Sequence, residues 1–178
     1  MIDDKFKGYM QAKTGCVVIM AGSGSDSEHI LKITTALEKF NIPYDVKVCS
    51  AHKQPTELEE MIKEYNRVGG LVTYVAVAGG TDALSGTLSF HALGPVISCP
   101  PDAPNNSCLT NPPGSSNGYI GNPVNVAKFI AQMYAGINPE YNNILLNENS
   151  LKIKKLKEDD KNILKKLDEL KQKSLEKK

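Results

Sequence analysis

Apolar residues cluster in short runs separated by helical spacing. Residues 16–21 (CVVIMA) and 71–78 (LVTYVAVA) are continuous hydrophobic stretches, and 95–99 (PVISC) is a shorter one. Such runs suit strands buried on both faces, as in a parallel sheet. Residues 45–49 (DVKVC) alternate and read as a further strand. Between the runs the period changes. Ile30, Ile33, Leu37 and Phe40 share one face of a helix over 26–40, ended by Asn41, Ile42 and Pro43. Leu58, Ile62 and Tyr65 mark a second helix that starts at Pro55 and Thr56 and stops at Gly69-Gly70. Residues 83–93 read as a third helix. A Pro-, Asn-, Gly- and Ser-rich loop fills 99–118, with a short strand near Tyr119 and Ile120. Asn122 as N-cap and Pro123 in first place open a helix to about Ala135, and Pro139 starts another short one. Residues 1–14 read as a weakly ordered lead-in, and 148–178 as a Lys-rich amphipathic helix whose last residues fray. The alternation predicts an α/β domain over 15–147. Its architecture is a three-layer sandwich, flavodoxin-like or Rossmann-like, with a central parallel sheet and helices on both faces. A long C-terminal helix follows.

In such sheets ligands sit beyond the carboxyl ends of the strands. Three small-residue loops leave strand ends here: 22–26 (GSGSD), 50–53 (SAHK) and 79–82 (GGTD). They are expected to converge on one crevice. The first joins a buried strand to a helix start, where unpaired N–H groups and the helix dipole favour an anion. It is neither a Walker A loop nor the dinucleotide fingerprint, which wants Gly where Ser27 stands. Ser25 with Glu28, and Thr56 with Glu59, have capping-box spacing.

Composition narrows the function. The net charge is +1, but the body is mildly acidic and the tail basic, which argues against a nucleic-acid-binding body. The sole arginine is Arg67, so bidentate clamps on a ligand are nearly excluded. No apolar run approaches the ~20 residues of a membrane-spanning helix, and the N-terminal stretch lacks the core of a secretory signal. Cys16, Cys49, Cys99 and Cys108 form no CxxC pair, which favours a reduced, cytoplasmic compartment and no zinc site.

Among the titratable residues, His52 is the leading candidate for proton transfer. It lies in a polar loop at a strand end, although a loop histidine that only packs remains an open reading. His29 beside Glu28 reads as a surface residue, and His91 as a cap or core-edge residue. Lys53 can neutralise a phosphate. Asp26 and Asp82 each either bind a ligand or favour a helix start.

The runs AGSGSD (21–26), SAHK (50–53), AVAGGTDALSG (76–86) and ISCPP (97–101) together resemble the phosphoribosylaminoimidazole carboxylase catalytic-subunit family, which includes carboxyaminoimidazole ribonucleotide mutases. Lys53 after SAH, and Ala83-Leu84-Ser85-Gly86 in the third loop, resemble the branch that uses carbon dioxide directly. The resemblance implies carboxylation of aminoimidazole ribonucleotide in purine biosynthesis, with no biotin, ATP or metal. It assigns proton transfer to His52 and the ribose phosphate to Ser23, Ser25 and Asp26, with Asp26 on sugar hydroxyls. Ser50, Ala51 and Lys53 would line the phosphate end, and Gly79, Gly80, Ala83 and Leu84 the third side. Backbone N–H groups of 79–86 would hold the carboxylate. It also implies a homo-oligomer, an octamer or a tetramer. The chain departs from the branch at Gly80 and Thr110, which stand where the family carries arginines. A mutase on the same fold, or a non-catalytic phosphoribosyl-binding homologue, are the alternative readings.

Overall fold

A computed structural model describes residues 2–175. Five parallel strands form one sheet in the order β2-β1-β3-β4-β5, the doubly wound order of flavodoxin-like folds. They are β1 (Cys16–Ala21), β2 (Tyr44–Val48), β3 (Val72–Val77), β4 (Val96–Ser98) and β5 (Gly118–Tyr119). The helices are α1 (Asp4–Ala12), α2 (Ser27–Lys39), α3 (Pro55–Val68), α4 (Ala83–His91), α5 (Val124–Tyr134) and α6 (Pro139–Leu175). Residues 176–178, the last of those expected to fray, lie outside the described residues.

β1 and β3 are buried at every position because helices cover both faces. Successive side chains alternate between two cores. Val17, Ile19 and Ala21 face α2, α5 and the start of α6, meeting Leu37, Ile130 and Tyr141. Cys16, Val18 and Met20 face α1, α3 and α4, meeting Met10, Ile62 and Leu88. That is the expected sandwich, and its apolar runs are the reason for it. Gly94, before β4, has no room for a side chain: a Cβ there would meet the Val72 carbonyl oxygen at 1.9 Å.

Several local expectations are corrected. Most of the lead-in is a helix: Asp3 accepts hydrogen bonds from the N–H groups of Lys5 (2.8 Å) and Phe6 (3.2 Å), and Phe6 and Met10 bury one turn apart. Nine residues with a single buried edge carry little periodic signal, and the tertiary contact decides their state. The two C-terminal helices are one, because nothing after Pro139 breaks the chain until the end of α6. Its start is tied to the beginning of β1: the Tyr141 hydroxyl donates to the Gly15 carbonyl (2.7 Å) and Asn138 Nδ2 to Thr14 (3.1 Å). Neither capping box forms as spaced. A 3₁₀ turn at Gly24–Asp26 displaces the first helix start to Ser27, and the turn is capped by Ser23, whose Oγ accepts from the Ser25 N–H at 3.2 Å. α3 begins at Pro55 with no side-chain cap from Gln54. α5 begins at Val124, one residue later than expected, with Pro123 in the capping position, and the Asn122 side chain accepts from the Val124 N–H at 3.2 Å.

Candidate active site

The strand order reverses at β1, and the helices that follow β1 and β3, α2 and α4, lie on opposite faces of the sheet. Here, beyond the carboxyl ends of β1, β2 and β3, lies a crevice of about 230 Å³. The three loops meet in it. Backbone bonds fasten their bases: the Cys49 N–H donates to the Ala21 carbonyl (2.8 Å) and the Gly22 N–H to Val77 (2.9 Å). Loop positions are thus set by the sheet ladder continuing one residue past each strand. A larger apolar groove of about 370 Å³, between α2, α5 and α6, holds lysines and one glutamate but none of the loops, so it offers no comparable chemistry.

Ser23, Asp26, Ser50, Ala51, His52 and Lys53 line the crevice, as do Gly79, Ala83 and Leu84 on its third side. Ser25 and Gly80 do not. Ser25 is exposed with its Oγ 2.7 Å from Ser23 Oγ, and Gly80 is exposed, in the left-handed region at φ +65°. Gly22, Ala78 and Thr81 complete the lining. They lie within the quoted runs, but as small side chains they carry no chemistry that singles them out in the sequence.

His52 and Lys53 are exposed, and neither side chain has a partner among the described residues. The loop that carries them is stiffened by its own backbone: the Ser50 carbonyl accepts from the N–H groups of Lys53 (3.2 Å) and Gln54 (2.8 Å). The imidazole and the ammonium are therefore held at the crevice with their polar atoms uncommitted. Asp26 stands at the N-cap of α2 without making a side-chain cap bond, so its carboxylate remains a free acceptor beside the helix N-terminus.

The third loop is different. The Gly80 N–H donates to the Asp102 carboxylate at 2.7 Å, and the Gly80 carbonyl accepts from Asn105 Nδ2 (2.8 Å) and Ser107 Oγ (3.1 Å). Asn105 Nδ2 also reaches Asp102 (3.0 Å), and the Asp82 N–H donates to Ser107 Oγ (2.9 Å). Asp82 is a helix cap, accepting from the Ser85 N–H at 2.9 Å, and the Ala83 N–H reaches Thr81 (3.1 Å). Among the N–H donors of 79–86 expected to hold a substrate carboxylate, those of Gly80, Asp82, Ala83 and Ser85 are thus taken within the chain. The bonds from Gly80 and Asn105 hold the Asp102 carboxyl below the usual aspartate range. Asp102, Asn105 and Ser107 come from the long loop after β4, where the sequence shows only an excess of turn-forming residues.

The remaining histidines and cysteines are structural. His29 is half-buried, correcting its surface reading: its Nε2 lies 3.0 Å from the Cys99 carbonyl and joins α2 to the end of β4. Burial lowers its pKa, with the Cys99 contact opposing. The His91 ring packs edge-on against Phe90, and its carbonyl accepts from Asn66. All four cysteines are free and buried, and burial pushes the thiols of Cys16 and Cys99 up to about 12. They are held as neutral thiols, unsuited to nucleophilic work. Among the described residues no group of His, Cys, Asp or Glu is placed to hold a metal ion, and no helix is long and apolar enough to cross a membrane.

With this geometry in place, comparison with known proteins decides the family. The AIR carboxylase family model matches residues 16–173. The chain belongs to the AIR carboxylase family. A phosphoribosylaminoimidazole carboxylase of Treponema denticola is 31% identical over 150 residues, which is 81% of this chain and 94% of that one. The crystal structure of Treponema denticola PurE superposes with a TM-score of 0.78 at 31% identity, covering 83% of this chain and 97% of that one. A bifunctional phosphoribosylaminoimidazole carboxylase/phosphoribosylaminoimidazole succinocarboxamide synthetase of Mus musculus is 36% identical over 144 residues, 77% of this chain but 34% of the relative. The chain therefore spans about a third of that bifunctional protein and nearly all of the bacterial one.

Proposed function

We propose that the crevice binds aminoimidazole ribonucleotide and joins it to carbon dioxide, giving carboxyaminoimidazole ribonucleotide in purine biosynthesis. The observation that carries this reading is the convergence of His52, Lys53, Ser23 and Asp26, from two separate loops, on one crevice at the switch point of the sheet. Membership of the AIR carboxylase family and the name of the Treponema relative support it.

The chemistry suits these groups. Lys53 and Ser23 meet the phosphate, and Asp26 accepts from ribose hydroxyls. The aminoimidazole is an electron-rich enamine, so its ring carbon attacks carbon dioxide with no activated carrier. One C–C bond forms, the carbon dioxide becomes a carboxylate, and the attacked ring carbon is left tetrahedral. His52 takes the proton from that carbon and the ring regains aromaticity. The protein supplies position, a water-poor pocket and one proton acceptor. The reading extends to a cytoplasmic homo-oligomer, to which the apolar stripe of α6 lends support.

The third loop favours a second reading. Gly80 stands where the carboxylase branch carries arginine, and its N–H is committed to Asp102. That combination fits a homologue that binds phosphoribosyl ligands without turnover. Incubation with aminoimidazole ribonucleotide and bicarbonate separates the two. Carboxylated nucleotide is expected from the native chain and not from His52→Asn. Tight binding of the nucleotide with no product would establish the second reading, and turnover of the N-carboxylated substrate without bicarbonate would identify a mutase.

A further inference from the structure

A second cavity lies away from the crevice, where α6 leaves the body. Tyr141 and Leu145 bury the start of that helix, but from Asn149 to Lys173 it is exposed apart from a half-buried Asp159. The departure leaves a groove of about 370 Å³ between α2, α5 and α6. Ala36 and Phe40 of α2 form its floor, each 6% exposed. Leu31 of α2 and Val124 of α5 form its apolar lips, at 64% and 58%. Aliphatic side chains this open, gathered beside an apolar recess, make a contiguous surface that nothing in the chain covers.

The mouth of the groove is cationic. Lys32 and Lys39 come from α2, Lys128 from α5 and Lys152 from α6, against a single acid, Glu148. Glu148 is already taken, its Oε2 accepting from Lys39 Nζ at 2.7 Å. Lys128 donates to Asn149 Oδ1 at 2.8 Å, a neutral acceptor that leaves the charge uncompensated. Lys32 and Lys152 make no hydrogen bond or ion pair among the described residues. Three of the four ammonium groups therefore border the recess without an anion. The body as a whole is mildly acidic, so the lysines gathered here are a local feature and not a general property of its surface.

An apolar recess with unpaired cations at its mouth is complementary to a molecule with an apolar body and one anionic head. The walls are aliphatic, and Phe40 is too buried to offer a ring face, which selects an alkyl chain over a flat heterocycle. The apolar part is recessed and bordered by ammonium groups, so it fits one chain and not a bilayer surface. We propose that the groove between α2, α5 and α6 binds an alkyl-chain monoanion of the class of a free medium-chain carboxylate. Its chain lies over Ala36 and Phe40, and its head is met by Lys32 and Lys152. The site shares no residue with the crevice and does not rest on the reaction assigned there.

Calorimetric titration of the full chain with decanoate, below its micelle-forming concentration, tests it. One decanoate per chain is expected. Each methylene lost from an apolar contact weakens binding about fourfold, so octanoate should bind about tenfold more weakly or worse. Decyltrimethylammonium, the same chain with the opposite charge, should bind at least about tenfold more weakly than decanoate. Thr35→Phe fills the groove from an exposed position and should abolish binding. Lys32→Glu combined with Lys152→Glu should weaken it at least about fivefold. All three positions are exposed, so the melting temperatures should stay at the native value. Lys53→Met, at the crevice, should bind decanoate as the native chain does. Any of three results overturns the proposal. The first is no binding by the native chain, whether another copy covers the groove or nothing does. The second is equal binding of decanoate and decyltrimethylammonium. The third is native affinity in Thr35→Phe, which places the ligand elsewhere. Binding to phosphatidylglycerol vesicles but not to decanoate counts with the first, since it makes the ligand a membrane surface.

Discussion

Two sides of the crevice are built on opposite plans. On the side of the first two loops, His52, Lys53 and Asp26 keep their polar atoms uncommitted, while the backbone beneath them is fixed by sheet and turn bonds. On the third side Gly80, through both its N–H and its carbonyl, and the Asp82 N–H are bonded to Asp102, Asn105 and Ser107. Uncommitted groups can meet a ligand without first breaking a bond within the chain. Committed groups give shape, and any anion that needs them must displace a carboxylate. The first side is therefore read as the one that binds and reacts, and the third as a wall whose form is set by the long loop. A chain with one arginine has few ways to hold the 79–82 loop by charge, and Asp102 does so from outside through a backbone N–H.

The sharpest way to break this comparison is at His52. His52→Asn is expected to lower kcat/KM for carboxylation by about 10²–10⁴-fold with no change in melting temperature, since the side chain is exposed and bonds to nothing described. Unchanged turnover would remove it from the reaction. Lys53→Met comes next. Losing one charged contact to phosphate costs about 1.5–3 kcal/mol, so KM for the nucleotide should rise roughly tenfold or more while kcat holds. Isothermal titration with the nucleotide checks the same loss directly, and a fall confined to kcat would place Lys53 away from the phosphate.

Asp102→Ala tests the other side. As a positioning residue its removal should lower kcat/KM by roughly tenfold and the melting temperature by a few degrees. Higher activity would instead show that the carboxylate blocks the site. The stability part carries a pH signature. The folded pKa of Asp102 lies below its ordinary value, so the contribution is present in full above the usual aspartate range and is lost as pH falls through the lowered value. The melting difference between native and Asp102→Ala chains should therefore be constant near neutrality and close in acid, below about pH 4. The smallest effect is expected from Ser25→Ala, which should alter KM by about twofold at most, and a larger loss would bring Ser25 into the binding surface.

How much of this was legible differs between the two sides for the same reason. The loops that carry His52, Lys53 and Asp26 follow directly on apolar runs, and the periodicity of those runs is enough to order strands and loops. Convergence then follows from the parallel sheet itself. The bond from Gly80 to Asp102 was not legible because the two are 22 residues apart, and it depends on how the 99–118 loop folds back, which no local pattern states. His29 escapes the sequence for a similar reason. Its helix position beside Glu28 says surface, and only the Cys99 carbonyl, 70 residues on, makes it half-buried. The α1 helix shows the limit at the short end, where two buried side chains and one cap decide the state of nine residues.

The sequence by itself determined the three-layer α/β plan, the three loops and most of the groups that line the crevice. Those features depend on local hydrophobic period and on small residues at strand ends, and both are properties of neighbouring positions. The tertiary structure alone decided which of those groups remain free. Hydrogen bonds between distant segments commit Gly80 and Asp82 and leave His52 and Lys53 open. A polar atom's availability is settled by what packs beside it, and packing between remote segments is not written in the spacing of either one.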